Sequence, residues 1–510
     1  MQQEVAKGRR NSLAILTTGL AAVLFTSGCG NQYRPVVTAI NPVGPASQPT
    51  KYAIAISNPG AKLTGLITIV DVSGDTVLST PNIGPASNNN FFLPTAPTTF
   101  PLAPVNPNIF SINFGGSEGF IVDPEDAGFA DFPLSSPTSL LSQDVVQTAL
   151  ATGANPTSVE AISVGGSTPA TVFVTQAGSA ATSTSAAVAP SIAALSAPAG
   201  ASLLQTIQIP DSTNPLVFET PVYVVGYDNA QRVYALSQDA SGNGQATAIE
   251  GTQLAISATL PIGKNPVYGL MTSDLKRAYI LNKGDSTVSV INVVNNALDT
   301  GVQYPIQPNG TTPPVGTIPL SPGINPVWAD YSLTTNELVV LNQGDGVNPG
   351  SLSIINIPLC NINTPVTNPN CNAANPTDAQ GFGKIVATVP VGVNPTMVSM
   401  LTDGTQAYVV NSGNVSSGAG ASVSVVNLNT GVVTATIPYG PDVIDTPTTV
   451  VNTVFGHPNT VSATTGSPTG KVYITSSDDN YLTILRTDNN TVQAHIDLQG
   501  AGVRVQVNVK

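Results

Sequence analysis

His457 and His495 are the only histidines in the chain, and so the only unperturbed side chains able to move a proton near neutral pH. His457 precedes a proline in a slot that other parts of the chain fill with asparagine, and His495 lies in a strand-like segment. Both read as structural residues. No serine or cysteine can be set beside them with an acid to form a nucleophilic triad, and no glycine-rich phosphate loop runs from a strand into a helix. The expectation is a protein that is not an enzyme, with no catalytic residue, no cofactor and no metal. The acidic pairs Glu125 with Asp126 and Asp478 with Asp479 fall in turns, as solvated groups, with weak calcium binding as the alternative. Three further side chains have two readings each. Trp328, Asp330 and Asp274 stand where they would either line a central channel, or pack as an indole and cap turns as carboxylates.

Chemistry of another kind is written at the N-terminus. Lys7, Arg9 and Arg10 precede an apolar run from Leu13 to Phe25, after which Thr26, Ser27 and Gly28 lead into Cys29. As a helix that run would span about 20 Å, short of the ~30 Å bilayer core, so it reads as a cleaved export signal. The site resembles a bacterial lipobox, although Thr26 stands where that family prefers leucine, and ordinary signal-peptidase cleavage is the alternative. The resemblance implies lipid attachment at Cys29, stable anchoring through two or three acyl chains, and, with Gly30 next in line, passage to the outer membrane. The chain then divides into a signal peptide over residues 1–28, a tether over 29–50 carrying Pro35, Pro42, Pro45 and Pro49, and one folded domain over 51–510. In an exported protein, Cys360 and Cys371, eleven positions apart in an Asn/Pro-rich insertion, are expected to form a disulfide. A metal site there is short of ligands, because residues 357–381 offer no histidine and only Asp378 as an acid.

Composition narrows what residues 51–510 can be. Charged residues are 9% of the chain and hydrophobic ones 41%, which excludes a disordered body, while 46 Gly and 43 Pro with abundant Val, Thr, Ser and Asn describe short strands and many turns. The net charge is −13, and −15 once residues 1–28 are removed with their three basic groups and one acid. No cluster of Lys or Arg offsets it, so a nucleic-acid-binding face is not expected.

Repetition decides the architecture. Asn-Pro recurs at 106, 155, 214, 265, 325 and 394, with His457-Pro458 as a variant, at intervals of 49 to 69 residues. After each comes a short apolar strand centred on an aromatic or branched residue, such as Phe120, Phe173, Tyr234, Tyr279, Tyr408 and Tyr473, often ending in Asn. An alternating strand follows, clearest at 287–292, 351–356, 422–427 and 481–485, and a fourth closes each unit, as at 254–263, 384–392 and 432–440. Four short strands per repeat predict an all-β propeller of four-stranded antiparallel blades. The terminal Asn of the second strand is expected to bond backbone at the following turn.

These repeats resemble the YVTN-type propeller family, best from Pro261 to Leu498 and more weakly from Tyr52 to Gly263. The family's turn between the first two strands is only partly present, at Thr402-Asp403-Gly404 and Ser467-Pro468-Thr469-Gly470. The resemblance implies an exported propeller of the kind found in surface antigens. The first unit, from Tyr52, lacks a first strand, while residues 503–509 alternate strictly with nothing local to pair with. Inserting the C-terminal strand into the first unit closes a ring of eight blades. Seven blades, and closure by residues 36–40 instead, are the alternatives.

Function follows only by class. The first expectation is a lipid-anchored binding or scaffold propeller of the bacterial cell envelope, monomeric, facing the periplasm or the surface and recognising a polysaccharide, peptide or protein on one face. A hydrolase of lactonase or quinoprotein type, with a metal or cofactor at the channel mouth, is the second. A structural surface protein without ligand is the third.

Overall fold

The computed structural model describes residues 51–508 apart from the stretches 60–64, 82–109, 113–117, 124–127, 135–139, 142–143, 167–169, 184–185, 197–201, 212–216, 300–315, 361–377, 380, 415–418, 443–444, 446–449 and 465–469. Eight antiparallel sheets follow one another round a ring. The inner strands are Ala501–Val507 for blade 1, Phe110–Ile112 for blade 2, Pro156–Ile162 for blade 3 and Thr220–Val225 for blade 4. Those of blades 5 to 8 are Pro266–Met271, Pro326–Ser332, Pro395–Met400 and Pro458–Ala463. Blade 5 differs slightly, since its third strand, Thr287–Asn292, takes both Ala297–Leu298 and Thr317–Pro319 as outer partners.

The ring closes by the expected route. Ala501–Val507 pairs antiparallel with Tyr52–Asn58, the second strand of blade 1. Asn508 seals the register, its Oδ1 accepting from the Tyr52 amide at 2.8 Å and its amide donating to the Tyr52 carbonyl at 3.0 Å. Residues 36–40 lie outside the described residues.

Asn-Pro has a stereochemical reason. Asn155, Asn265, Asn325 and Asn394 all sit at φ between 47° and 55°, the left-handed region that asparagine tolerates and the following proline does not forbid. This turns the chain from one blade's outer edge into the next inner strand. In each case the asparagine carbonyl accepts the amide just past the second strand, from Ala177, Lys283, Gln343 and Ser412 respectively. His457 keeps the same bond, to the Ser477 amide, without the positive φ.

Packing between blades is where the core lies. The second-strand aromatics are 0–1% exposed, and the hydroxyls of three tyrosines among them reach the next blade. Tyr234 donates to Asn296 at 3.1 Å, Tyr408 to Asn490 at 2.7 Å and Tyr473 to Asp75 at 3.4 Å. All three acceptors are positive-φ residues in the turn between the third and fourth strands. The terminal asparagines meet the expectation in part, since Asn342 and Asn411 donate to the Ser351 and Ser422 carbonyls across the following turn at 3.3 and 3.4 Å, but their shorter bonds go elsewhere. Asn282, Asn342 and Asn411 are fully buried and point across the blade, where their amides donate to Ser289, Ser353 and Ser424 at 2.9, 2.9 and 3.0 Å. A buried amide needs partners, and the alternating third strand supplies hydroxyls where a turn would supply only one backbone group.

Candidate functional site at the propeller axis

One local irregularity sets up the axis. In blades 3 to 8 the register slips directly after the proline that opens the inner strand, so Thr157, Val222, Val267, Val327, Thr396 and Asn459 are bulged. Blade 1 has the same slip at Val503. The residue after each bulge falls at one level round the ring: Arg504, Ser158, Tyr223, Tyr268, Trp328, Met397 and Thr460. Small polar members of this level stitch neighbouring blades together. Ser158 accepts from the Val224 amide at 3.0 Å and Thr460 from the Val505 amide at 3.0 Å. Two residues further along, Asp330, Ser399 and Ser462 accept from the amides of Met400, Ala463 and Val507 at 2.7, 3.0 and 3.1 Å.

The large members form a cluster of tilted rings. Tyr223 and Tyr268 have ring centroids 5.2 Å apart, and Tyr268 and Trp328 are 3.9 Å apart. Arg504 comes to them from blade 1, passing blade 8, to place its guanidinium 4.9 Å over Trp328 in blade 6 and to donate from Nη1 to Met397 Sδ in blade 7 at 2.9 Å. Arg504 is 5% exposed, Trp328 4%, and the two tyrosines 7% and 8%. Burial pushes the guanidinium pKa down to about 10, with Tyr268 and Tyr223 acting in the opposite direction. It therefore stays cationic at neutral pH. Its Nε is buried without a hydrogen-bond partner among the described residues.

Beyond this cluster stands Glu160, on the inner strand of blade 3 and half-buried. Its side chain lies against Gly226, where a Cβ would come within 2.8 Å of its Cγ. Burial first, and Asp228 second, push its pKa up to about 8, so it carries a proton at pH 7.

The other nominated residues take these places. Trp328 is both packed and axial. Asp330 sits one step away, accepting the Tyr331 and Met400 amides. Asp274 caps the turn after the blade 5 inner strand, bonded to Thr272 Oγ1 at 2.7 Å and the Lys276 amide at 3.2 Å, and does not join the axial cluster. His457 Nδ1 is 2.6 Å from Asp478, which raises the imidazole pKa, and its ring stacks on Tyr439. The His495 side chain is 2% exposed, packed on Phe455 with Asp445 and the Thr453 carbonyl at its two nitrogens, in the structural role expected of it. Cys360 is disulfide-bonded, and the nominated Cys371 and Cys29 lie outside the described residues. Among the described residues no group of three or more His, Cys, Asp or Glu is placed to hold a metal.

Arg504 and Glu160 were missed by sequence reasoning that looked for converging acids. The available signal was a lone arginine at the level that other inner strands fill with aromatic or small residues.

Solved structures share this ring. Over 92% of this chain and 78% of the other, at 12% identity and a TM-score of 0.54, it is similar to the dihydro-heme d1 dehydrogenase NirN in complex with DHE. It is also similar to apo AztD from Citrobacter koseri, at 9% identity, TM-score 0.49, over 90% and 97% of the two chains. A proposed 6-phosphogluconolactonase from Bacteroides fragilis aligns at 11% identity, TM-score 0.45, over 91% and 99%. At these identities the likeness shows the propeller fold alone. No family model matches the chain, and no curated protein matches it in sequence.

Proposed function

We propose that this protein is a non-catalytic binding propeller, related to the YVTN-type repeats and held at the bacterial cell envelope by lipid on Cys29. The observation that carries the reading is the axial cluster. A buried arginine, an indole and two phenols are groups that hold a ligand by charge and stacking, and they converge from blades 1, 4, 5 and 6. The acidic body and Pro-rich tether suit a domain held clear of an anionic membrane surface. The test is a thermal-shift screen of the full-length protein against glycans, peptides and small metabolites. A hit that raises the melting temperature of wild type, but not of Trp328→Ala, supports axial binding, and a complete absence of hits sinks it.

One feature favours a catalytic reading as the alternative. Glu160, with a pKa near 8 on an inner strand, is suited to donate a proton to a bound substrate. Turnover that disappears in Glu160→Gln while ligand affinity is kept would move the protein into that class.

A further inference from the structure

We propose that the axial cluster is a carboxylate site, whose ligand is a small organic anion with a flat, unsaturated body. The proposal rests on the binding reading above and names its ligand class.

The argument begins with an imbalance. A guanidinium that is 5% exposed normally faces a carboxylate, because the loss of hydration must be repaid by pairing and hydrogen bonds. Arg504 has instead a thioether on Nη1, an indole face, and two phenols. The nearby acid of the inner strands, Asp330, is already engaged by the Met400 and Tyr331 amides. A second acid of the inner strands, Glu160, does not serve as a counter-ion while it holds its proton. Among the described residues, a cationic charge is thus built into the axis without its anion.

The geometry narrows the anion further. Nη1 is committed to Met397, whereas Nε is buried and unpartnered. The Nε–Nη2 edge is the side on which a guanidinium donates two parallel bonds to the two oxygens of a carboxylate, and a planar fork selects a planar partner. The Trp328 indole lies 4.9 Å from the guanidinium carbon, and the rings of Tyr268 and Tyr223 follow it in turn. Tyr223, Tyr268 and Trp328 are in contiguous, tilted ring contact, an aromatic wall that favours a flat body over a polyol.

Trp328 is the only tryptophan in the chain, so its fluorescence reports on this site alone. Titration of the full-length protein with benzoate, benzamide and acetate, excited at 295 nm, separates the requirements for charge and for a ring. Benzoate should change the emission saturably, with benzamide and acetate each at least about tenfold weaker. Arg504→Met, similar in length and uncharged, should abolish the response to benzoate, and Arg504→Lys should weaken it by about tenfold for want of the fork. If the arginine variants do not fold, the three ligands on wild type still decide the matter. Benzamide binding as well as benzoate overturns the carboxylate, and acetate binding as well as benzoate overturns the flat body. No saturable response to benzoate, alongside a screen hit that still needs Trp328, defeats this proposal and leaves the binding reading standing. Silence in both defeats the two together.

Discussion

At the residue scale, the blades are held by amides that have no room to spare. Gly263, Gly323 and Gly392 end the fourth strands at points where a Cβ would come within 2.5–2.6 Å of the side chain of Asn282, Asn342 or Asn411. Gly392 also donates its own amide to Asn411 Oδ1 at 3.0 Å. Gly392→Ala must therefore push the asparagine off Ser424, and should destabilise the protein by about 1–3 kcal/mol, measured by urea unfolding. Glu160 gives a second expectation. Its pKa rises from 4.5 to about 8 on folding, so between these values the folded chain holds a proton that the unfolded chain has released. Its contribution to stability is complete below pH 4.5 and is lost as the pH climbs through 8. Subtracting the stability of Glu160→Gln from that of wild type across pH 4 to 9 should leave a curve that falls through this window and is flat beyond it. A flat difference throughout would contradict the assignment. The asparagines and glycines were legible as punctuation from their recurrence, but their partners were not. That an amide reaches a serine hydroxyl across the blade as well as the backbone beyond the turn depends on the register between strands, which a single repeat does not disclose.

At the scale of elements, the most exposed dependence is on the strand Ala501–Val507. Without it, Tyr52–Asn58 presents a bare row of backbone groups beside the axis, and an unpaired edge invites pairing with another chain. A protein lacking residues 501–510 should form oligomers by light scattering and melt at a lower temperature, and a synthetic peptide of that strand should restore the monomer. A truncated chain that stays monomeric with an unchanged melting point would show that the seam is held elsewhere. Blade 6 contributes a second tie, through the insertion that carries Cys360. Its base is closed by pairing of Leu359 with Asp378, and Asp378 joins Asp299 on the fully buried Arg277 of blade 5, at 2.9 and 2.5 Å. Burial and the neighbouring Asp299 push the Asp378 pKa up to about 8, so removing the guanidinium would strand a buried acid pair, and Arg277→Ala should cost about 3–5 kcal/mol in thermal or urea unfolding. The incomplete first unit and the orphan last strand revealed closure before any coordinates. The Arg277 cluster was hidden, because its members are separated by up to 101 residues and belong to no repeat.

For the whole molecule, eight blades follow from the count of repeats plus one composite unit, and the ring agrees with that count. The axial site was only partly legible. Trp328 drew attention as the single indole, whereas Arg504 was concealed within an alternating strand, where a charged residue ordinarily marks a solvent face. Closing the ring turns that face inward, toward the axis. Placement at the membrane remains a proposal with a direct test. Metabolic labelling with palmitate should mark the wild-type chain and not Cys29→Ala, which should move to the soluble fraction, and equal labelling of both would remove the anchor from the scheme.

Arg504 belongs to the strand that completes the circle, and this ties occupancy to integrity. The charge reaches the axis only when the two far ends of the folded domain have met, so a half-assembled ring has no site to fill. A ligand that grips Arg504 from the opposite side of the ring therefore acts as a bolt through the clasp, favouring the shut form by RT ln(1 + [L]/Kd). The gain should surface as slower amide exchange along Tyr52–Asn58, the strand paired with that of Arg504, whose own residues need not touch the ligand.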